Sequence, residues 1–297
     1  MTQTLLIRYG ELTLKSPPVR RSFETQLRRN LLEQFAREGI IGRLRSDRGH
    51  LYAEVNDGPQ AIGVIRRVFG ITSVSAVVET PADPEAIAQA AIQIAEPKIG
   101  PGTSIAVRAR RTGSHSFTSQ ELARTVGGRF LSAFADRAIR VDLDRPDFEL
   151  FVEVRDARAY LSVGRTPGPG GLPLGVAGSV AAYVDGPRAA VGAFLMMKRG
   201  CRTAFVVSEE GAPLVDQVLG RFELDPPTER CSTGDWTDRL AEVATRYRAD
   251  AVVLPLSVEE YPAARERWGD RVVFSPTVGW TDEEVMDRWE SIVALLA

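Results

Sequence analysis

Three arginines within four residues, Arg108, Arg110 and Arg111, are followed by His115 and by Thr118 and Glu121 at the spacing of a helix capping box. Cations, an imidazole and the free amides of a helix start therefore share one stretch of chain, with Arg124 a turn further on. That combination suits recognition of phosphate and of a nucleic-acid 3′ end. No carboxylate or serine is spaced to activate His115, so it is given a binding role and not a catalytic one. A second basic set, Lys15, Arg20, Arg21 and Arg28, precedes it. Arg21 and Arg28, seven apart, fall on one helical face, for which a solvated surface is the bland reading.

A different chemistry is suggested further on. Val180 to Val184 reads as a buried strand, Asp185-Gly186-Pro187 as a tight turn and Ala189 to Met197 as a helix, the architecture that holds phosphates on helix N-terminal amides. Here, however, Asp185 would repel phosphate and Pro187 removes an amide donor. Two cysteines, Cys201 and Cys231, are too few for a disulfide framework or a four-cysteine zinc site. Arg230 and the helix starting near Trp236 could lower the Cys231 pKa and favour thiolate, against the commoner reading of a bland loop cysteine. Asp142, Asp144 and Asp147 could form a hard-metal site, but Pro146 between them makes a structural corner the better reading.

The elements that position these residues follow from periodicity. A strand at Thr4 to Tyr9, a helix with Phe23, Leu27, Leu31 and Phe35 at i+4 steps, strands at Gly42 to Asp47 and Leu51 to Val55, a helix near Pro59 to Phe69 and a strand at Ser73 to Glu79 give the order β-α-β-β-α-β of a ferredoxin-like unit. A helix over 84–95, a strand from Thr103 ending at Arg108, the capped helix after Thr118 and two strands, Phe148 to Arg155 and Ala159 to Val163, make a second unit. Residues 166–178 hold three prolines and five glycines and read as a linker. Beyond it, strands at Thr203 to Val207, Ala251 to Leu254 and Arg271 to Phe274 alternate with helices, the pattern of a doubly wound parallel sheet. Asp185 to Arg188, Ser208 to Gly211 and Pro255-Leu256-Ser257 would then face a common crevice beyond the strand ends.

At 297 residues and 44% hydrophobic composition the chain can fill two or three domain cores. No apolar run approaches a membrane span, and a cytoplasmic location is expected by default. Residues 1–176 hold 24 Lys and Arg against 19 Asp and Glu, a charge of +5, while the remainder holds 13 against 20, a charge of −7. The basic half is the one fitted to a polyanion.

R-Y-G-E-L-x-L-K from Arg8, the linker G-P-G-G-L-P from Gly168 and Met197-Lys198-Arg199-Gly200-Cys201 resemble the tRNA 4-thiouridine sulfurtransferase family. V-R-x-R-R from Val107, V-D-L-x-x-P-D from Val141 and V-E-V-R-x-x-x-A-Y-L from Val152 resemble a THUMP domain, an RNA-binding module. The resemblance implies a ferredoxin-like domain over 1–80, a THUMP domain over 81–165, the linker over 166–178 and a shortened ATP-pyrophosphatase-like (PP-loop) domain over 179–297. Its S-G-G-x-D-S loop falls on Val184, Asp185, Gly186, Arg188 and Ala189, with Pro187 between, so most phosphate-handling side chains are replaced. No late catalytic cysteine motif follows Cys201.

The expectation is a tRNA-binding or adaptor protein of the thiolation family that no longer adenylates and holds no cofactor. Arg108, Arg110, Arg111, His115 and Arg124 would meet the acceptor end with its 3′ CCA. Lys15, Arg20, Arg21 and Arg28 would meet phosphates of the stem. A catalytic protein partner and a homodimer are open possibilities. The alternatives are an active sulfurtransferase with altered ATP contacts and Cys231 as sulfur carrier, or a subunit that recruits a catalytic partner.

Overall fold

Leu5, Leu6 and Ile7 are fully buried in the first strand, and the stripe at Leu27, Leu31 and Phe35 is buried along the first helix, so the periodicity of the N-terminal residues is that of core faces. The structure is a computed structural model that describes residues 2–10, 16–47, 50–232 and 234–296. Lys15 lies outside the described residues.

The chain runs β1 (Gln3–Tyr9), α1 (Pro17–Arg37), β2 (Gly42–Asp47), β3 (His50–Val55), α2 (Gly58–Ile65) and β4 (Ile71–Pro81). These elements have the ferredoxin-like order. There follow α3 (Pro84–Ala95), β5 (Ser104–Thr112), α4 (Ser119–Ala133), β6 (Arg140–Val141), β7 (Phe148–Arg155), β8 (Arg158–Val163) and β9 (Thr166–Pro167). The C-terminal part comprises β10 (Ser179–Val184), α5 (Pro187–Lys198), β11 (Arg202–Val207), α6 (Ala212–Gln217), β12 (Thr228–Arg230), α7 (Trp236–Arg246), β13 (Ala251–Val253), α8 (Tyr261–Trp268), β14 (Val272–Phe274) and α9 (Asp282–Ala294). Among the described residues no helix is long and apolar enough to cross a membrane.

Contacts divide the chain into two compact units. The first holds residues 1–6, 52–58 and 75–166. Here β5 and β7 run parallel, and β7 pairs antiparallel with β8, which pairs antiparallel with β4. One sheet face packs on α3 and α4 through Ile87, Ala91, Leu122, Val126 and Phe130 against Ile105, Leu150, Val152 and Leu161. The Asp142–Asp147 corner is tied by its own backbone: Asp142 Oδ1 accepts from the amides of Asp144 and Arg145, and Asp147 accepts from Ser104 N and Oγ. These bonds hold both carboxyls below the usual carboxylate range.

The second unit holds residues 7–51, 59–74 and 167–297. Its five-stranded sheet has the order β12-β11-β10-β13-β14, all parallel, so the direction of winding reverses between β10 and β13. β12 is a strand that Thr228-Glu229-Arg230 does not announce by hydrophobicity. Phe69, in the turn before β4, stacks into the core with Phe194 of α5 and Phe222, at centroid distances of 5.1 and 5.5 Å. The linker lies against this core. Gly171 has φ +74°, and a Cβ there would sit 2.1 Å from the Lys198 carbonyl oxygen, so only glycine fits.

Candidate nucleic-acid interface

The arginine run belongs to a strand and not to a loop. β5 pairs with β7 through Thr112, in the register Arg108 to Phe151, Arg110 to Glu153 and Arg111 to Val154. Strand alternation therefore sends Arg108 and Arg110 to one face and Arg111 to the other. On the outer side β5 pairs with β6 at Ser104 and Ile105, and among the described residues no strand pairs with it beyond. The open edge is bordered by the start of α4.

Two hollows of about 460 and 480 Å³ flank that edge and share Val107, Arg108, Gln120 and Ala123. Arg110, Phe151, Glu153 and Arg165 line the first, while Arg124, Gly127, Gly128 and Leu131 line the second. A Cβ built at Gly127 or Gly128 would meet nothing within 4 Å, so α4 has open space over these positions. Arg165 places its guanidinium 4.6 Å from the Phe151 ring centroid and 3.3 Å from Glu153, which also holds Arg155 at 2.7 Å. Arg108 pairs with Glu149 at 2.7 Å and donates to the Leu143 carbonyl. The trough thus offers guanidinium groups around an aromatic face, a surface suited to phosphates and unstacked bases.

α4 is held in place by the expected cap. Thr118 Oγ1 accepts from the Glu121 amide, and the Glu121 carboxylate accepts from Thr118 N and Oγ1, two bonds that hold its carboxyl below the usual range. The remaining predicted residues do not line either hollow. Arg111 donates to the Gly113 carbonyl. His115 hydrogen-bonds through Nε2 to the Asp156 carbonyl at 2.8 Å, and its Nδ1 is shielded with no partner among the described residues. In the other unit Arg20 pairs with Glu24 at 3.8 Å, Arg21 is exposed, and Arg28 donates to Ser46 Oγ and the Leu44 carbonyl. Arg28 is therefore a tie between α1 and β2. Phe151, Arg165 and Gln120 were missed by the sequence reading, because the sequence does not show which face of β7 is left open.

In the second unit the ends of β10 and β13 mark the crevice where a doubly wound sheet would take a nucleotide. Its walls are drawn inward. Ser208 N donates to the Val184 carbonyl, Gly211 N donates to Ser208 Oγ, and a Cβ on Gly211 would lie 1.9 Å from the Val184 oxygen. The Ser208–Gly211 amides predicted to face the crevice are thus partly engaged in closing it onto β10. Arg188 donates to the Thr277 carbonyl and pairs with Asp282 at 2.8 Å. Asp185 stays exposed at one edge, yet the surrounding protein pushes its carboxyl above the ordinary range, with repulsion from Glu210 adding to the effect. Gly186 caps α5 with no side-chain hydrogen bond, ahead of Pro187, Arg188 and the buried Ala189. Ser257 and Glu260 bond each other's amides, and Leu256 is tied to Ser275.

The surroundings of Cys231 do not favour thiolate. Burial pushes its thiol up, the nearby Arg239 opposing and Asp235 reinforcing the shift, and the sulfur donates to the Val207 carbonyl at 3.6 Å. Arg230, expected beside it, pairs with Asp216 at 2.9 Å.

The ThiI ferredoxin-like domain matches residues 4–75 and the THUMP domain residues 81–164. The chain is 36% identical over 203 residues to a probable tRNA sulfurtransferase of Methanosarcina mazei, covering 67% of this chain and 50% of that one. It is 34% identical over 256 residues to one of Metamycoplasma arthritidis, covering 84% and 60%. The chain thus spans about half the length of the curated relatives it matches. In structure it is similar to PH1313 from Pyrococcus horikoshii, with a TM-score of 0.82 at 25% identity over 98% of this chain and 99% of that one. It also shares its fold with a 4-thiouridine synthetase solved with RNA and bound ATP, with a TM-score of 0.76 at 20% identity over 100% and 86%.

Proposed function

The chain belongs to the tRNA sulfurtransferase family, and from that premise we propose that it binds tRNA and has lost ATP-dependent adenylation. Residues 1–80 and 81–165 form the RNA-gripping part, joined through 166–178 to the pyrophosphatase-like residues 179–297. The observation that carries this reading is the trough along the open edge of β5, where Arg108, Arg110 and Arg165 surround Phe151. The acceptor stem supplies phosphates to the guanidinium groups, and the unstacked 3′ CCA end supplies bases for the aromatic face. A catalytic protein partner then supplies the chemistry that the C-terminal part lacks.

Loss of adenylation is supported by the crevice. Asp185 places negative charge where phosphate would sit, Pro187 offers no amide, Arg188 is bound to Thr277 and Asp282, and Gly211 packs on the end of β10. The deciding measurement is the affinity for tRNA with and without its 3′ CCA, at low and near-physiological salt. Tight binding that requires the CCA end is expected, and binding equal to that of any polyanion overturns the reading.

A second reading, an active transferase with altered ATP contacts, is favoured by the intact parallel sheet with a helix starting at the end of β10. It requires a saturable rise in Tm with Mg-ATP that is lost on changing Asp185 and Arg188. On the leading reading, Mg-ATP leaves Tm unmoved.

A further inference from the structure

Beside β14 the parallel sheet lacks the cover it has elsewhere on the same side. On the face packed by α5 and α9, Val180, Ala182 and Val184 of β10, Phe205 and Val207 of β11, and Ala251 and Val253 of β13 are buried in one core. β14 pairs with β13 in the register Ala251 to Val272 and Val253 to Phe274, so Val272 and Phe274 point to that same face. They are 51% and 40% exposed. A parallel sheet is normally covered on both faces, so the apolar surface left here is unusual.

Phe274 and Pro276 join Leu195 and Met196 of α5 as the floor of a hollow of about 680 Å³, with Arg199 and Arg288 at its rim. Pockets of this size, mostly apolar with a few convergent polar groups, are the ordinary form of small-molecule sites. The cations are not balanced from within. Among the described residues neither Arg199 nor Arg288 enters an ion pair, and Arg288 Nε is shielded from water with no acceptor. Its guanidinium lies 5.8 Å from the Phe194 ring. Asp287 and Glu284 border a second hollow that shares Arg288, but Glu284 is held by Thr281 in the cap of α9. An arginine with a shielded, unmet Nε donor beside a second cation favours an anionic ligand.

We propose that this hollow binds a small amphipathic anion, its apolar or aromatic body laid on Phe274, Pro276 and Met196 and its sulfonate, carboxylate or phosphate held by Arg199 and Arg288. The site is separate from the β10 crevice: at a rise of about 1.5 Å per residue, Leu195 to Arg199 lie roughly 12 to 18 Å along α5 from Pro187. It is also independent of RNA binding at the β5 edge, so either reading can fail alone.

The test uses the full chain and 8-anilinonaphthalene-1-sulfonate, a probe with this chemistry, with the methionine methyl groups labelled for NMR. Saturable binding at one site is expected, shifting Met196 while Met286, which does not line the hollow, stays put. Arg199→Gln with Arg288→Gln should weaken binding at least tenfold. Should the double variant fail to fold, Arg199→Gln alone, at an exposed position, should weaken it several-fold. Displacement by dodecanoate supports an aliphatic carboxylate as the natural chemistry, and displacement by AMP supports a nucleotide. The proposal is overturned by absence of saturable binding, by binding that leaves Met196 unmoved, by affinity indifferent to the arginines, or by failure of both competitors.

Discussion

Arg28 and Arg110 carry the same charge and are held in different ways. Arg28 donates to Ser46 Oγ at 2.9 Å and to the Leu44 carbonyl at 3.2 Å, tying α1 to β2, whereas Arg110 presents an exposed side chain beside the trough. Arg28→Ala should therefore lower stability by about 1 kcal/mol in urea unfolding and leave the salt dependence of RNA binding unchanged. Arg110→Gln should do the reverse, keeping stability within about 0.5 kcal/mol while reducing the salt slope by about one. Equal effects of the two on RNA would put the contact surface elsewhere. Glu223 shows the cost of a charge without enough partners. It is buried beside Thr203 N and Arg202, each at 3.2 Å, and burial pushes its carboxyl above the ordinary range despite both. Because the folded pKa is raised, the native state holds the proton more tightly, and stability falls as pH rises from the unfolded value of about 4.3 through the folded one. Glu223→Gln keeps the acceptor for Thr203 without the charge. It should match the wild type near pH 4 and become the more stable protein as pH rises to 7, read from urea midpoints along that range.

α4 has opposite requirements for its own stability and for binding. Gly127 and Gly128 lie in mid-helix, where glycine is less favourable than alanine by about 1 kcal/mol, yet open space lies over both. Gly128→Leu should raise Tm, because leucine is the better helix former and its Cβ meets open space, and should weaken binding of CCA-ended RNA by filling the trough. A rise in Tm with unchanged RNA affinity would remove this hollow from the interface. The same stretch shows what local sequence can and cannot convey. The Thr118 and Glu121 cap was legible because it depends on residues three apart, and the ferredoxin-like order was legible because its apolar periods are regular. β5 was expected to end at Arg108 because arginines mask strand alternation. It continues to Thr112 because β7 supplies a partner from more than 40 residues away. β12 was missed for the same reason: Thr228-Glu229-Arg230 has no apolar signature and is a strand by its pairing with β11. Arg165, in the link between β8 and β9, meets Phe151 of β7 through a tertiary contact that no local spacing encodes.

The glycine-rich stretch before β10 reads from composition as a tether, and the second unit uses it as a packed wall. Asn30 of α1 donates to the Leu174 carbonyl at 3.1 Å, Leu172 N donates to the Lys198 carbonyl, and Phe69 shares one core with Leu174, Phe194 and Phe222. The helices of the ferredoxin-like part and the C-terminal sheet are therefore parts of one compact unit, although the two matched domains end at residues 75 and 164, before that sheet begins. This has a consequence for any attempt to isolate the RNA-binding part. A fragment of residues 1–178 retains every residue of the trough but exposes Phe69 and Leu174, whose partners lie beyond residue 178. In the full chain Phe69→Ala should remove about 3 to 5 kcal/mol, the usual range for a buried phenylalanine. The fragment should lose at least as much, appearing as a broadened, lower-temperature melt or as self-association in size-exclusion chromatography. A fragment that melts sharply at the full-chain temperature would mean that the shared core is dispensable. RNA binding by a folded fragment would then be a test of the trough alone, whereas its loss in a misfolded one would say nothing of the arginines. The RNA affinity of Phe69→Ala, measured below its own melting temperature, separates the two: it should equal that of the wild type, because Phe69 belongs to the core of the second unit and the trough to the first.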